Sequence, residues 1–226
     1  MFKIFQKNEY NKGLARQNVR STLGGVTLIE LLVVISIFMI ISTITVFSYG
    51  RFNSSLSIQN LADDIALAVR RAQGYAIGVR GTSGLFNEGY GVHFTANPSA
   101  SLYAGSNKSF ILFADISNYN QYDNSSATCG EPSAGDECLE LLSITSMDKI
   151  TEIYVNDSTL ISPTSTVDLI FKRPNPEPTF CYRVNGTGSC SASSIYNIKI
   201  KISQDADPTI FKMINISNNG QISVSS

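Results

Sequence analysis

The stretch GGVTLIELLVVISIF, residues 24–38, sets one carboxylate, Glu30, near the start of a run that is otherwise apolar. From Val26 to Tyr49 the chain has 24 residues without Lys, Arg, Asp, Gly or Pro, and Glu30 is their single charge. As a helix that segment is about 36 Å long, enough to cross a hydrocarbon core of about 30 Å. Upstream, Lys3, Lys7, Lys12, Arg16 and Arg20 against Glu9 give residues 1–25 a net charge of +4, leaving −5 for the rest of a chain whose total is −1. A basic flank, an apolar segment and an acidic body form a membrane-topology pattern, with the basic side cytoplasmic and the body outside.

An ordinary secretory signal fits this pattern badly. The apolar run is too long, it contains an acid, and no Ala-x-Ala-like site closes it. Gly24 and Gly25 precede the run instead, so a cut there removes the leader and leaves the membrane segment attached. The expected organisation is a basic leader over 1–25, a transmembrane half-helix over 26–49 and an extracytoplasmic head over 50–226. Within the head a helix is expected over 50–78 and a β-rich region over 85–226.

The helical signal continues past the membrane. Leu61, Ile65, Ala68, Val69, Ala72 and Ala76 recur at three- and four-residue steps, with Asp63, Asp64, Arg70, Arg71 and Gln73 mostly on other faces. Proline is absent from residues 1–97, so the helix is expected to run from about Val26 to Ile77, with Gly50 or Asn53-Ser54-Ser55 as its bends and Gly78 or Gly81 at its end. Beyond residue 85, strands are expected at 90–94, 109–114, 150–155, 166–171, 179–184, 195–203 and 209–217. Ile198-Lys199-Ile200-Lys201-Ile202 alternates strictly, as in a sheet with one wet face. Asn219-Gly220 reads as a type I′ hairpin joining the last two strands. RPNPEP, 173–178, reads as a stiff exposed loop, and 115–138 as a surface excursion.

All four cysteines, Cys129, Cys138, Cys181 and Cys190, lie in the body, and four allow three connectivities. Zinc knuckles usually space their ligands more closely, and the single histidine, His93, is distant in sequence. The spacing favours two local disulfides, 129–138 and 181–190, over other pairings or free thiols. Paired cysteines suit an oxidising, extracytoplasmic compartment.

With those residues in view, GGVTLIELLVVISIF resembles the N-terminal processing motif of type IV pilins and type II secretion pseudopilins. Basic leader, Gly, Thr-Leu-Ile-Glu and a long apolar helix occur in the family's order. Residues 56–81 resemble, more loosely, the amphipathic helix of H-type minor pseudopilins. The resemblance implies that a prepilin peptidase cuts between Gly25 and Val26 and methylates the new amine on Val26, where the family usually has Phe. It also implies that Glu30 pairs with the α-amine of a neighbouring subunit during filament assembly, assisted by Thr27. Two departures stand out: the apolar half lacks the family's frequent mid-helix proline, and the tail NNGQISVSS lacks the cations of DNA-binding members. The acidic body likewise argues against nucleic acid as a partner.

Nothing in the sequence points to catalysis, a cofactor or a metal. His93 in YGVHF reads as a strand residue and not as a base. Asp63-Asp64 and Asp136-Glu137 lack the spacing of a calcium loop and read as solvated charge, and Arg70-Arg71 as a solvated helix face. The expected fold is α+β: a long N-terminal helix, transmembrane in its first half, packed on an antiparallel sheet of about five to eight strands. The expected role is structural, a pilus or pseudopilus subunit in the cytoplasmic membrane until assembly with other subunits. The alternatives are a major pilin, or a membrane-anchored adhesin whose loops 115–138 and 173–190 contact a ligand.

Overall fold

A computed structural model of the chain describes residues 24–78, 81, 88–123, 128–130, 136–157, 159–160, 164–186, 190 and 194–226. The chain divides into two compact units, residues 1–47 and 48–226. The expected leader lies, as far as residue 23, outside the described residues.

Helix α1, Leu28–Ile77, begins in the first unit and ends in the second. Every apolar side chain from Leu28 to Phe47 is exposed. The hydroxyls in this stretch turn inward: Ser36 donates to the Leu32 carbonyl (2.8 Å), Thr43 to Met39 (2.8 Å) and Thr45 to Ile41 (2.9 Å). Back-bonding of this kind satisfies a hydroxyl within its own helix, as a hydrocarbon environment demands. The helix is long and apolar enough to cross a membrane.

In the second unit α1 buries the face that its periodicity specifies. Leu61, Ile65, Ala68, Val69, Ala72 and Ala76 are all buried, together with Ile58 and Ala62. The four alanines on this face let the backbone approach its neighbours closely. Gly50 and Asn53-Ser54-Ser55 do not interrupt the helix. Ser54 donates to the Gly50 carbonyl at 3.1 Å and accepts from Gln204 Nε2 at 2.8 Å, so the polar stretch is a tie rather than a bend. Ser57 Oγ donates to Asp148 Oδ2 at 2.5 Å, and the guanidinium of Arg71 forks onto the Glu140 carboxylate. Arg71 therefore bridges two elements, which corrects its reading as mere solvated charge. Gly78 closes the helix by donating to the Gly74 carbonyl at 2.8 Å.

Among the described residues, two antiparallel five-stranded sheets pack with this helix half, where the sequence predicts one sheet of about five to eight strands. The first comprises β1 (Gly89–Thr95), β2 (Ser109–Asp115), β3 (Cys138–Ser143), β6 (Thr166–Lys172) and β7 (Asn175–Arg183), in the order β3-β2-β1-β6-β7. The second comprises β4 (Asp148–Val155), β5 (Thr159–Leu160), β8 (Asn197–Gln204), β9 (Phe211–Ser217) and β10 (Ile222–Ser225), in the order β10-β9-β8-β4-β5. One core cluster draws on α1 and both sheets, with Val92, Phe94, Leu112 and Leu169 from the first and Ile150, Ile153, Ile200 and Ile214 from the second. β8 alternates as its Ile-Lys repeat requires, buried Ile198 and Ile200 each followed by a half-exposed lysine.

The first sheet differs: β1 and β2 are buried along their whole length. Their far face carries a second cluster of Ile111, Phe113, Tyr122, Cys138 and Ile170. The excursion after residue 115 thus covers a sheet face. Glu137, expected in water, is fully buried there and accepts from the Ser117 amide and hydroxyl and the Asp123 amide, each at 2.9 Å.

Two local expectations change. RPNPEP is not a free loop, because β7 starts at Asn175 and pairs Pro178 with Phe171. It is an edge strand, where prolines are tolerated. The 217–221 hairpin forms, but of its turn residues only Gly220 has a positive φ (80°). The Gly220 amide donates to the Ser217 carbonyl (2.9 Å) and the Ser217 amide to the Gln221 carbonyl (3.0 Å). That is a type I turn with a glycine bulge, in place of type I′.

Candidate functional site

In the first unit, Gly24, Gly25, Val26 and Thr27 precede α1 without helical structure and are exposed. A Cβ at Gly24 or Gly25 would meet nothing within 4 Å, and neither has a positive φ. Nothing within the described chain therefore requires glycine there. Thr27 caps the helix: its Oγ1 accepts the Glu30 amide at 3.3 Å, and its carbonyl accepts the Leu31 amide at 3.1 Å. Thr27-Leu28-Ile29-Glu30 has the spacing of a capping box, and the half of it that Thr27 supplies is formed, which accounts for Thr27. The carboxylate also stands at the positive end of the helix. Glu30 is exposed and has no ion-pair partner among the described residues.

In the second unit the cysteines pair locally, Cys129 with Cys138 at a Cα separation of 4.8 Å and Cys181 with Cys190 at 5.3 Å. The first bond fastens the excursion to β3 and the second ties the segment after β7 back to that strand.

Between these fastenings lies a cleft of about 300 Å³ that the sequence does not announce. Its wall contains His93, 1% exposed, whose Nδ1 donates to Asp168 Oδ1 at 2.5 Å across the β1–β6 ladder. His93 Nε2 lies 3.2 Å from the Ala104 carbonyl oxygen. Gly105 holds that carbonyl in place. With φ at 75° it takes a backbone that favours glycine, and a Cβ there would stand 2.6 Å from His93 Cδ2. Both ring nitrogens thus face an oxygen, one of the Asp168 carboxylate and one of the Ala104 carbonyl.

Asp168 also accepts from Arg183 Nη2 at 3.4 Å, and the same nitrogen donates to the Tyr122 carbonyl at 3.1 Å. Arg183 Nη1 is 4.0 Å from Asp123, while its Nε and the Thr166 hydroxyl are buried without a hydrogen-bond partner among the described residues. Tyr122 is buried against His93 and Phe113, with ring centroids 4.9 and 5.3 Å away, whereas Tyr119 is 67% exposed. Asn185 sits at the rim in a left-handed conformation (φ 57°, ψ 24°), its Oδ1 accepting from Thr164 Oγ1 at 2.7 Å.

Burial shifts two nearby carboxyls upward. Glu137 is raised chiefly by loss of water, against the pull of its amide and hydroxyl donors. Glu88 is raised by burial and then by Asp115, and is partly relieved by Lys172. Among the described residues no group of three or more His, Cys, Asp or Glu side chains is arranged to hold a metal.

Asp168, Arg183 and Asn185 were not singled out from the sequence. The available signal was an acid inside TVDLIF, flanked by core residues and facing the strand that carries the single histidine. Loops 115–138 and 173–190, named together as ligand-contacting loops, both line this cleft, through Tyr122 and Asp123 on one side and Arg183, Asn185 and Gly186 on the other.

No protein-family model and no curated protein matches the sequence. Among solved structures, the type IV minor pilin FimU of Pseudomonas aeruginosa (strain PAO1) is similar in two crystal forms. One aligns at 11% identity over 77% of this chain and 92% of that chain, with a TM-score of 0.38. The other aligns at 11% identity over 74% and 92%, with a TM-score of 0.36.

Proposed function

We propose that the chain is a structural subunit, of the minor kind, of a type IV pilus or a type II secretion pseudopilus. A prepilin peptidase cuts between Gly25 and Val26 and methylates Val26, and the mature protein waits in the cytoplasmic membrane with its body outside. The observation that carries this reading is the pairing of two unnecessary glycines with an unpartnered acid. Gly24 and Gly25 have no structural reason within the described chain to be glycine, and a protease approaching the backbone supplies one. Five residues into the mature form, Glu30 opens a helix whose apolar side chains are all exposed as far as Phe47.

A carboxylate at that depth is unfavourable by about 2–3 kcal/mol or more in lipid and is a functional suspect by default. The α-amine freed on Val26 of a neighbouring subunit supplies its counterion, and the exposed helix flanks pack against other helices of the filament. Thr27 contributes by capping the helix that carries Glu30.

Intact-mass measurement of protein extracted from native membranes tests the processing step. Loss of residues 1–25 with gain of one methyl group is expected, and a full-length mass overturns the proposal. Glu30→Ala is expected to be processed normally but to incorporate poorly into filaments, and normal incorporation overturns the charge-pairing account.

A further inference from the structure

From the cleft beside His93 we infer a binding site for a single neutral pyranose ring, an inference that stands independently of the filament reading. A size of about 300 Å³ is at the small end of ligand clefts, which run from about 300 to 1,000 Å³, and suits one ring rather than a chain of them.

The polar groups around it select the ligand class. Donors come from Asn97, Asn185 and Arg183. An acceptor comes from Asp123, whose carboxylate lies 4.0 Å from the guanidinium and accepts from Gln121 Nε2 (3.0 Å) and Ser117 Oγ (3.4 Å), with lone pairs remaining on each oxygen. An anion would meet the repulsion of Asp123, and a cation that of Arg183. A polyol satisfies both, because each hydroxyl donates and accepts.

The site is also built in advance. Asp168 holds Arg183 and His93 in fixed positions, and Asn185 is held by Thr164 in a conformation that few non-glycine residues adopt. The Cys181–Cys190 bond closes the segment that follows Arg183. Such an arrangement makes the body a receptor for a terminal sugar, with no step of catalysis attached.

The test uses the full chain in an amine-oxide detergent, which has no sugar headgroup. Saturation-transfer NMR is run with glucose, galactose, mannose and N-acetylglucosamine. At least one is expected to bind saturably with a dissociation constant on the order of 1 mM. Asn185→Gly keeps the left-handed backbone and removes the amide together with its bond from Thr164, and Asp123→Asn removes the charge while keeping an oxygen to accept from Gln121 and Ser117. Each is expected to weaken binding about three- to tenfold while the thermal melt remains cooperative, showing that the variant is folded. Absence of saturable binding by all four sugars overturns the inference, as does binding that neither substitution alters. Binding of inorganic phosphate in place of sugar also overturns it, in favour of an anion site.

Discussion

His93 and Asp168 meet across the β1–β6 ladder at 2.5 Å, and both are out of water. Arg183 reaches the other oxygen of the same carboxylate at 3.4 Å. Removing the acid leaves a buried guanidinium and an imidazole without their partner. Asp168→Ala is expected to lower unfolding free energy by about 3–5 kcal/mol, as measured by chemical denaturation. A change below about 1 kcal/mol would mean that the carboxylate is dispensable to the sheet.

Ile65 lies at the centre of the buried helix face and is fully enclosed. Ile65→Ala is expected to be destabilising by about 2–5 kcal/mol in the same assay. Leu67, two positions on and 56% exposed, serves as the control, and Leu67→Ala should shift stability by no more than about 0.5 kcal/mol.

The two disulfides each join cysteines nine positions apart. Loop-closure entropy assigns about 2–3 kcal/mol to a link of that span. Replacing either pair by alanine should move the denaturation midpoint accordingly, and adding reductant should then have a smaller effect on the variant than on the parent. An equal effect on both would show that the removed pair was not bonded.

The carboxyls give opposite pH signatures. Glu152 is held below its ordinary value of 4.5, first by donation from the Tyr154 hydroxyl and also by Lys201. Its contribution to stability is therefore present above pH 4.5 and lost as pH falls through the lower folded value. The melting deficit of Glu152→Gln should be visible at neutral pH and vanish on acidification. Glu137 runs the other way, because burial raises it, so its contribution exists below pH 4.5 and fades as pH rises through the folded value. An NMR titration of the Glu137 carboxyl carbon should have its midpoint above 4.5. A midpoint at or below that value contradicts the burial argument.

Regular spacing made the helix legible. Leu61, Ile65, Ala68, Val69, Ala72 and Ala76 announce a face, and all six are buried. The same holds for β8, where isoleucine and lysine alternate. Legibility failed where one element's partner is far away in sequence. Nothing local says that Glu137 turns inward to organise the chain around Ser117 and Asp123, because the burial comes from the excursion folding over β2. Arg71 looks solvated until β3 brings Glu140 against it, and β3 itself follows the turn-rich excursion, which hid it. The second sheet was missed for a related reason. Strand candidates can be counted from apolar runs, but which of them share a sheet depends on pairings such as β4 with β8 that span about fifty residues. The cleft combines all of these obstacles, since its lining comes from separate strands and two loops.

The edge formed by β7 has a further consequence. Pro176 and Pro178 offer no amide hydrogen along the outermost strand of the first sheet, and Pro174 offers none just before it. An unpaired edge ordinarily recruits strands from other molecules, and prolines are a standard deterrent. Crowded copies of this body are thereby kept from zipping together through this edge, so contact along it is left to side chains.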